Sequence, residues 1–235
     1  MQAAEERVQR LKCWLEPVVP VQVKGGITNA NFLVEHQGGK YFVRIGDDIP
    51  VHQVLRFNEL AAGRAAAACG LSPGVVHYEK GAIVFDFING TTLGAADVRH
   101  PETLMRVLEL VKTCHREMPK HIRGPSVIFW VFHVVRDYAH SLNDAQSRHV
   151  PALPRLMEIA DRLERTVGQV NIVYGHNDLL PTNLMDDGTR LWLIDWDYAG
   201  FNSPLFDLSN LCSNSDVSHD DAEAEEKIRR LTALH

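Results

Sequence analysis

The sequence predicts an α+β fold in two lobes, an antiparallel sheet with one helix followed by a mainly helical half. Three observations carry this. Short β-rich segments separated by turn residues crowd the first 88 positions, helical periodicity takes over after Asn89-Gly90, and two short apolar strands return around a polar loop between residues 171 and 195. At 235 residues, 45% hydrophobic and 23% charged, the chain can bury a substantial core.

Residues 3–16 place Val8, Leu11 and Leu15 on one stripe and are expected to form a helix. The segments VVPVQVK, NFLVEH and KYFVRI follow as strands of an antiparallel meander, divided by the turn-like GGITNA and by QGG. FNELAAGRAAAACG is a helix rich in alanine, ended by Gly70 with Pro73 beyond it. VVHYE and AIVFDFI are two more strands around Lys80-Gly81, and a hinge is expected near Phe87–Gly90. A helix then starts near Pro101 with Leu104, Val107, Leu108 and Val111 at helical spacing. A second occupies part of 127–145. A third runs from about 153 to 167, with Leu156, Ile159, Ala160 and Leu163 expected to face inward and Gly168 closing it. NIVY and LWLID are the returning strands. The stretch from Asp220 to Leu234 reads as the start of an amphipathic helix with nothing after it to pack beside, so the chain is expected to be incomplete at its C-terminus.

Several function classes are disfavoured. The net charge is −6 and the basic residues are scattered, with Lys120, His121 and Arg123 the one loose group, so no nucleic-acid partner is expected. Cys13, Cys69, Cys114 and Cys212 share no metal-ligand spacing and read as free thiols of a reducing, cytoplasmic protein. The N-terminal MQAAEERVQRLKCW is too polar for a secretory segment. The longest apolar run, VIFWVFHVV, is short and carries His133, so no membrane insertion is expected.

The chemistry concentrates in VYGHNDLLPTNLM and the LWLIDWDYAG that follows. His176, Asp178 and Asn183 lie in a polar loop between two apolar strands, and Asp195 ends the second. Asp195 and Asn183 offer the hard oxygen ligands that Mg²⁺ prefers, and Asp178 suits the carboxylate that orients an attacking hydroxyl in phosphoryl transfer. Each has a plainer reading alone: Asp178 as a loop cap, Asn183 as a turn residue after Pro181, His176 as a structural histidine, Asp195 as a turn residue. Their order and spacing together favour the chemical reading. In GGITNAN, Gly25 and Gly26 permit a close turn, and Thr28, Asn29 and Asn31 offer donors to phosphates, although this loop alone reads as a hairpin turn. Arg44, on an apolar strand, needs a partner such as Glu59 or a triphosphate, whereas Lys40 beside Gly38-Gly39 reads as a solvent-facing strand start. Phe85, Phe87 and Ile88 near the hinge are candidates for an adenine contact or for the core.

HNDLLPTNLM resembles the H-x-D-x-x-x-x-N catalytic loop of the choline/ethanolamine kinase and aminoglycoside phosphotransferase superfamily, and LIDWDYAG resembles its metal-binding segment. GGITNANFLV is similar to the nucleotide-loop signature of the choline kinase branch, YFVRIG to its third strand, FNELAAGRAAAACGLSP to the following helix, and FDFINGTTL to its hinge. The ordered matches run from about Gly25 to Asn210. The resemblance implies a two-lobed protein-kinase-like fold, with residues 1–88 as a nucleotide-binding lobe and 89–235 as a catalytic and acceptor-binding lobe. It implies ATP and Mg²⁺ as cofactors and a small-molecule alcohol as acceptor. Within the catalytic set His176, Asp178, Asn183 and Asp195, it makes Asp178 the base and Asn183 and Asp195 the metal ligands. Gly26, Thr28, Asn29, Asn31, Arg44, Glu59, Phe87 and Ile88 would serve the nucleotide, with Glu59 pairing Arg44. Asp207 would brace the catalytic loop. Asp178, Asp197 and Tyr198, with Trp196, would contribute to the acceptor site, with a metal-assisting role the alternative for Asp197 and packing the alternative for Trp196. Choline or ethanolamine is the expected acceptor; thiamine, an aminoglycoside, or a nucleotide-binding pseudoenzyme are the alternatives. A protein kinase is disfavoured because no A-P-E follows Asp195.

Overall fold

A computed structural model of the chain describes residues 2–23 and 29–217. Helix α1 (Gln2–Gln9) precedes strands β1 (Val21–Val23), β2 (Ala30–His36) and β3 (Gly39–Ile45); α2 (Arg56–Ala68), β4 (Val75–Glu79) and β5 (Ala82–Asp86) follow. The five strands form one antiparallel sheet in the order β1-β2-β3-β5-β4. Period-two alternation sends Phe32 and Val34, Val43 and Ile45, and Ala82 and Val84 to one face, where Val8, Leu11 and Val18 cover them. The helix is shorter than its hydrophobic stripe suggests. Beyond Leu11 the chain turns, Trp14 donates its indole N–H to the Val8 carbonyl at 2.8 Å, and Leu15 is left 78% exposed.

Helix α2 lies on the other side of the strands, toward the second lobe. Its alanines bring it close to its neighbours: Ala62, Ala65 and Ala66 are buried in the main core with Leu104 and Leu108. Gly70, at φ 71°, ends the helix, and the Leu71 N–H returns to the Ala66 carbonyl at 2.9 Å.

In the second half, β6 (Thr91–Thr92), α3 (Ala95–Arg99), α4 (Pro101–His121), α5 (Val131–Asp144) and α6 (Leu153–Val167) precede a group of very short strands. These are β7 (Val173–Gly175), β8 (Leu184–Asp186), β9 (Leu191–Leu193) and β10 (Gly200–Asn202), before α7 (Pro204–Asn214). The ribbons β6-β8-β9 and β7-β10 frame the polar loop. Strands β6, β8 and β10 are too short to leave a period in the sequence. Helix α4 is the central pillar: all four of its expected core residues are buried, and Cys114 and Met118 continue the stripe beneath β7. Helix α6 departs from expectation. Leu156 and Leu163 are each 51% exposed, because α5 and α6 pack on each other and leave an open apolar groove of about 820 Å³ between them. Among the described residues no helix is long and apolar enough to cross a membrane. The stretch Asp220–Leu234, and Gly25, Gly26 and Thr28 of the expected nucleotide loop, lie outside the described residues.

Candidate active site

The polar loop is held from below by one buried carboxylate. Asp207, in the first turn of α7, accepts hydrogen bonds from the backbone N–H of His176 (2.9 Å) and of Asn177 (2.7 Å), and its Oδ2 lies 2.9 Å from His115 Nε2. Burial alone would raise its pKa, but the hydrogen bond and charge of His115, with the Asn177 N–H, hold the carboxyl below its usual range. A Cβ at Gly175 would stand 3.1 Å from that carboxylate, so the close approach needs a glycine. Asn177 sits at φ 65° and ties the loop to the next segment through the Tyr198 carbonyl at 3.0 Å, while Asn202 donates to its Oδ1 at 2.9 Å.

His176 is fully buried. Its Nδ1 accepts the Asp178 backbone N–H at 3.3 Å and its Nε2 lies 3.0 Å from the Ile194 carbonyl, which assigns the Nε2–H tautomer. The ring stands edge-on to Trp196 at 4.7 Å. The imidazole therefore aligns the Asp178 backbone against the segment leading to Asp195, and no face of it is open to a substrate. Asp178 is half-buried, and Asn183 Nδ2 donates to its carbonyl at 2.9 Å and to its Oδ2 at 3.3 Å. Burial raises the Asp178 pKa above the ordinary value; His176 opposes the shift and Asp195 adds to it.

Asp195 follows β9 at φ 70°, a left-handed conformation that aspartate tolerates better than most residues. It meets an ion-pair cluster contributed by the sheet and α2 of the other lobe. Arg44 Nη1 donates to Glu59 Oε1 at 2.5 Å, to Asp197 Oδ1 at 3.0 Å and to Asp195 Oδ1 at 3.1 Å. Arg56 Nη1 donates to Glu59 Oε2 at 2.7 Å and to Asp197 Oδ1 at 2.8 Å, and its Nη2 donates to Asn29 Oδ1 at 2.6 Å. Burial would lower the Arg44 pKa, but Glu59, Asp195 and Asp197 outweigh it and raise it. Asp197 is pushed up to about 6, first by burial and then by Glu59 and Asp195, with Arg44 and Arg56 opposing. A Cβ at Gly46 would stand 2.3 Å from Asn29 Oδ1, so this glycine makes room for the Asn29–Arg56 contact.

Two residues expected on the acceptor side lie in the interior. Asp197 is 6% exposed, and its carboxylate faces the guanidiniums of Arg44 and Arg56. Trp196 is 2% exposed and donates its indole N–H to Ser72 Oγ at 3.1 Å, which makes it a core residue. Tyr198 is half-buried and packs edge-on to Phe129 at 6.3 Å. Burial pushes its phenol up to about 12, with Tyr138 and Asp178 adding to the shift. At the hinge Ile88 is buried and Phe87 half-buried, with the Phe87 N–H on the Lys40 carbonyl at 3.2 Å. Asn31 lies on β2 directly opposite Arg44.

Arg56 is the residue that sequence reasoning overlooked. Its signal was present, an arginine three positions before Glu59 at a helix start, but surface pairs of that spacing are common and only the fold buries this one. The cluster predicts strong coupling. In a double-mutant cycle of Arg44→Met and Glu59→Gln, unfolding free energies should show an interaction of about 1–3 kcal/mol; simple additivity would remove the pair from the account.

The donor set fits Mg²⁺. Asn183 spends its amide N–H on Asp178, which turns its carbonyl oxygen to other partners, and the Asp195 side chain keeps about a third of its surface open. Two protein oxygens of this kind are what Mg²⁺ takes when phosphates and water complete its shell.

The family model of choline/ethanolamine kinases matches residues 21–228. The chain is 26% identical over 211 residues to Protein LicA of Haemophilus influenzae, covering 87% of this chain and 61% of that one. It is 28% identical over 213 residues to ethanolamine kinase 2 of Mus musculus, covering 83% and 53%. The chain thus spans between about half and two thirds of the length of these relatives. Among solved structures, a choline/ethanolamine kinase family protein from Mesorhizobium loti superposes with a TM-score of 0.72 at 25% identity, over 98% of this chain and 74% of that one. LicA in complex with AMP gives a TM-score of 0.76 at 23% identity over 98% and 78%, a likeness of fold.

Proposed function

We propose that this chain, which belongs to the choline/ethanolamine kinase family, transfers the γ-phosphoryl group of ATP, with Mg²⁺, to the hydroxyl of choline or ethanolamine. The observation that carries the reading is the placement of Asp178. It is a carboxylate of raised basicity, held by Asn183, on a loop clamped by Asp207 and His176, close enough to Asp195 for the two charges to interact.

In this reading the acceptor hydroxyl hydrogen-bonds to Asp178. As its oxygen forms a bond to the γ-phosphorus, the bond from that phosphorus to the β,γ-bridging oxygen breaks, the hydroxyl proton passes to Asp178, and ADP carries away the bond's electron pair. Mg²⁺ bound at Asn183 and Asp195 would neutralise phosphate charge. Arg44, fixed by Glu59, presents its guanidinium beside Asp195, where it would hold the phosphates of the nucleotide. A small cationic acceptor suits the aromatic face of Tyr198, which Phe129 meets edge-on and whose phenol feels the charge of Asp178. The four free cysteines suit a reducing, ATP-supplied compartment such as the cytoplasm.

The test is an acceptor panel of choline, ethanolamine, thiamine and an aminoglycoside, with Mg-ATP and with kcat/KM measured for each. Choline or ethanolamine should lead the panel; preference for thiamine or the aminoglycoside would reassign the acceptor.

A further inference from the structure

The connection between β3 and α2 does more than link two elements. Ile49 and Val54 close on each other through paired backbone hydrogen bonds of 2.9 and 3.2 Å, so the intervening Pro50–Gln53 forms a tight, self-braced loop with Gln53 at φ 57°. Its base is anchored beside the ion-pair cluster: Asp48 Oδ1 accepts the Arg56 backbone N–H at 2.7 Å, and Arg56 Nε donates to the Asp47 carbonyl at 3.0 Å. Its tip reaches the other lobe. Gln53 Nε2 donates to Asp137 Oδ2 at 2.9 Å, and His52 Nδ1 lies 3.2 Å from the Tyr138 hydroxyl, the two rings 6.1 Å apart. Asp137 and Tyr138 belong to α5, and the segment that leads into this helix packs Phe129 edge-on to Tyr198 at 6.3 Å.

The loop thus spans from Arg56 of the ion-pair cluster to the helix that borders the acceptor-side tyrosine. We infer that Pro50–Gln53 is a strap across the acceptor end of the cleft, and that its contacts with Asp137 and Tyr138 limit how bulky an amino alcohol the site admits. This rests on the function proposed above. A strap held by two polar contacts suits a size filter, because an amine too bulky for the site must break both contacts to enter. The contacts are partly solvent-facing, so they add little to global stability and their loss should act on acceptor choice.

The experiment uses the full chain and two variants, His52→Ala with Gln53→Ala, and Asp137→Ala, which removes the acceptor oxygen of the Gln53 contact. Calorimetry with a non-hydrolysable Mg-ATP analogue reads binding of choline and of a dibutylaminoethanol, and kcat/KM is measured for both with Mg-ATP. The bulky-to-small ratio should rise about tenfold in the variants, with nucleotide affinity within about twofold of the parent. An unchanged ratio, or nucleotide affinity falling in step with acceptor affinity, overturns the strap while leaving the kinase reading intact. Amide exchange of residues 49–54 gives a readout that needs no acceptor. Faster exchange in Asp137→Ala supports the strap and unchanged exchange overturns it, even if the parent protein binds no amino alcohol and the functional reading fails.

Discussion

Replacing Asp178 with alanine should lower kcat by about 10²–10⁴-fold, the range expected when a positioned general base is removed. The KM for ATP should stay within about twofold, because the nucleotide is held by Arg44 and by Asn183 and Asp195 in this reading. The basis is geometric: Asp178 is fixed by Asn183 and by the backbone bond to His176, so it arrives pre-aligned. The pH dependence follows from the same residue. Burial raises its pKa, so the protonated, inactive form should accumulate at a higher pH than for an ordinary aspartate. The acid limb of kcat/KM should show that displaced ionisation, and Asp178→Ala should abolish it. Equal loss of ATP binding and turnover would contradict the assignment, because it would mean that Asp178 holds the loop together.

The second large effect concerns stability. Asp207→Ala removes one carboxylate that serves two buried backbone N–H groups and the buried His115. Orphaning buried partners of a charged group costs about 3–5 kcal/mol, enough to lower the melting temperature by many degrees and to release the catalytic loop. The direction with pH can be derived. The folded pKa of Asp207 lies below its ordinary value, so its contribution is fully present above the unfolded pKa of about 3.9 and is lost as pH falls through the folded value. Thermal unfolding of parent and Asp207→Ala between pH 7 and pH 3 should therefore converge toward the acid end. Curves that coincide at pH 7 would show that the loop does not depend on this carboxylate.

Much of the site was legible in the sequence because its residues come from a few short contiguous segments. His176, Asp178 and Asn183 share one loop, and Asp195 follows the next strand, so local spacing largely determined their proximity. The Arg44–Glu59 contact was legible for a different reason: an arginine on an apolar strand demands a partner, and the next helix offered a carboxylate. Other features depend on the tertiary fold. Asp197 looked available for an acceptor because it stands two positions after the candidate metal ligand Asp195, yet Arg44 and Arg56 approach it from the other lobe. Helix α6 carries a good apolar stripe, but its neighbour α5 leaves Leu156 and Leu163 half-exposed, and periodicity reports the stripe without reporting how fully the fold covers it. The Gln53–Asp137 contact joins residues 84 positions apart and has no local signature.

Movement of a phosphoryl group from ATP to a small alcohol is tested most directly by following the phosphorus itself. With γ-labelled ATP, Mg²⁺ and either choline or ethanolamine, the label should appear in phosphocholine or phosphoethanolamine for the parent chain and fall to background for Asp178→Ala. Retention of the label in ATP with both acceptors, by a folded chain that binds Mg-ATP, would contradict the account.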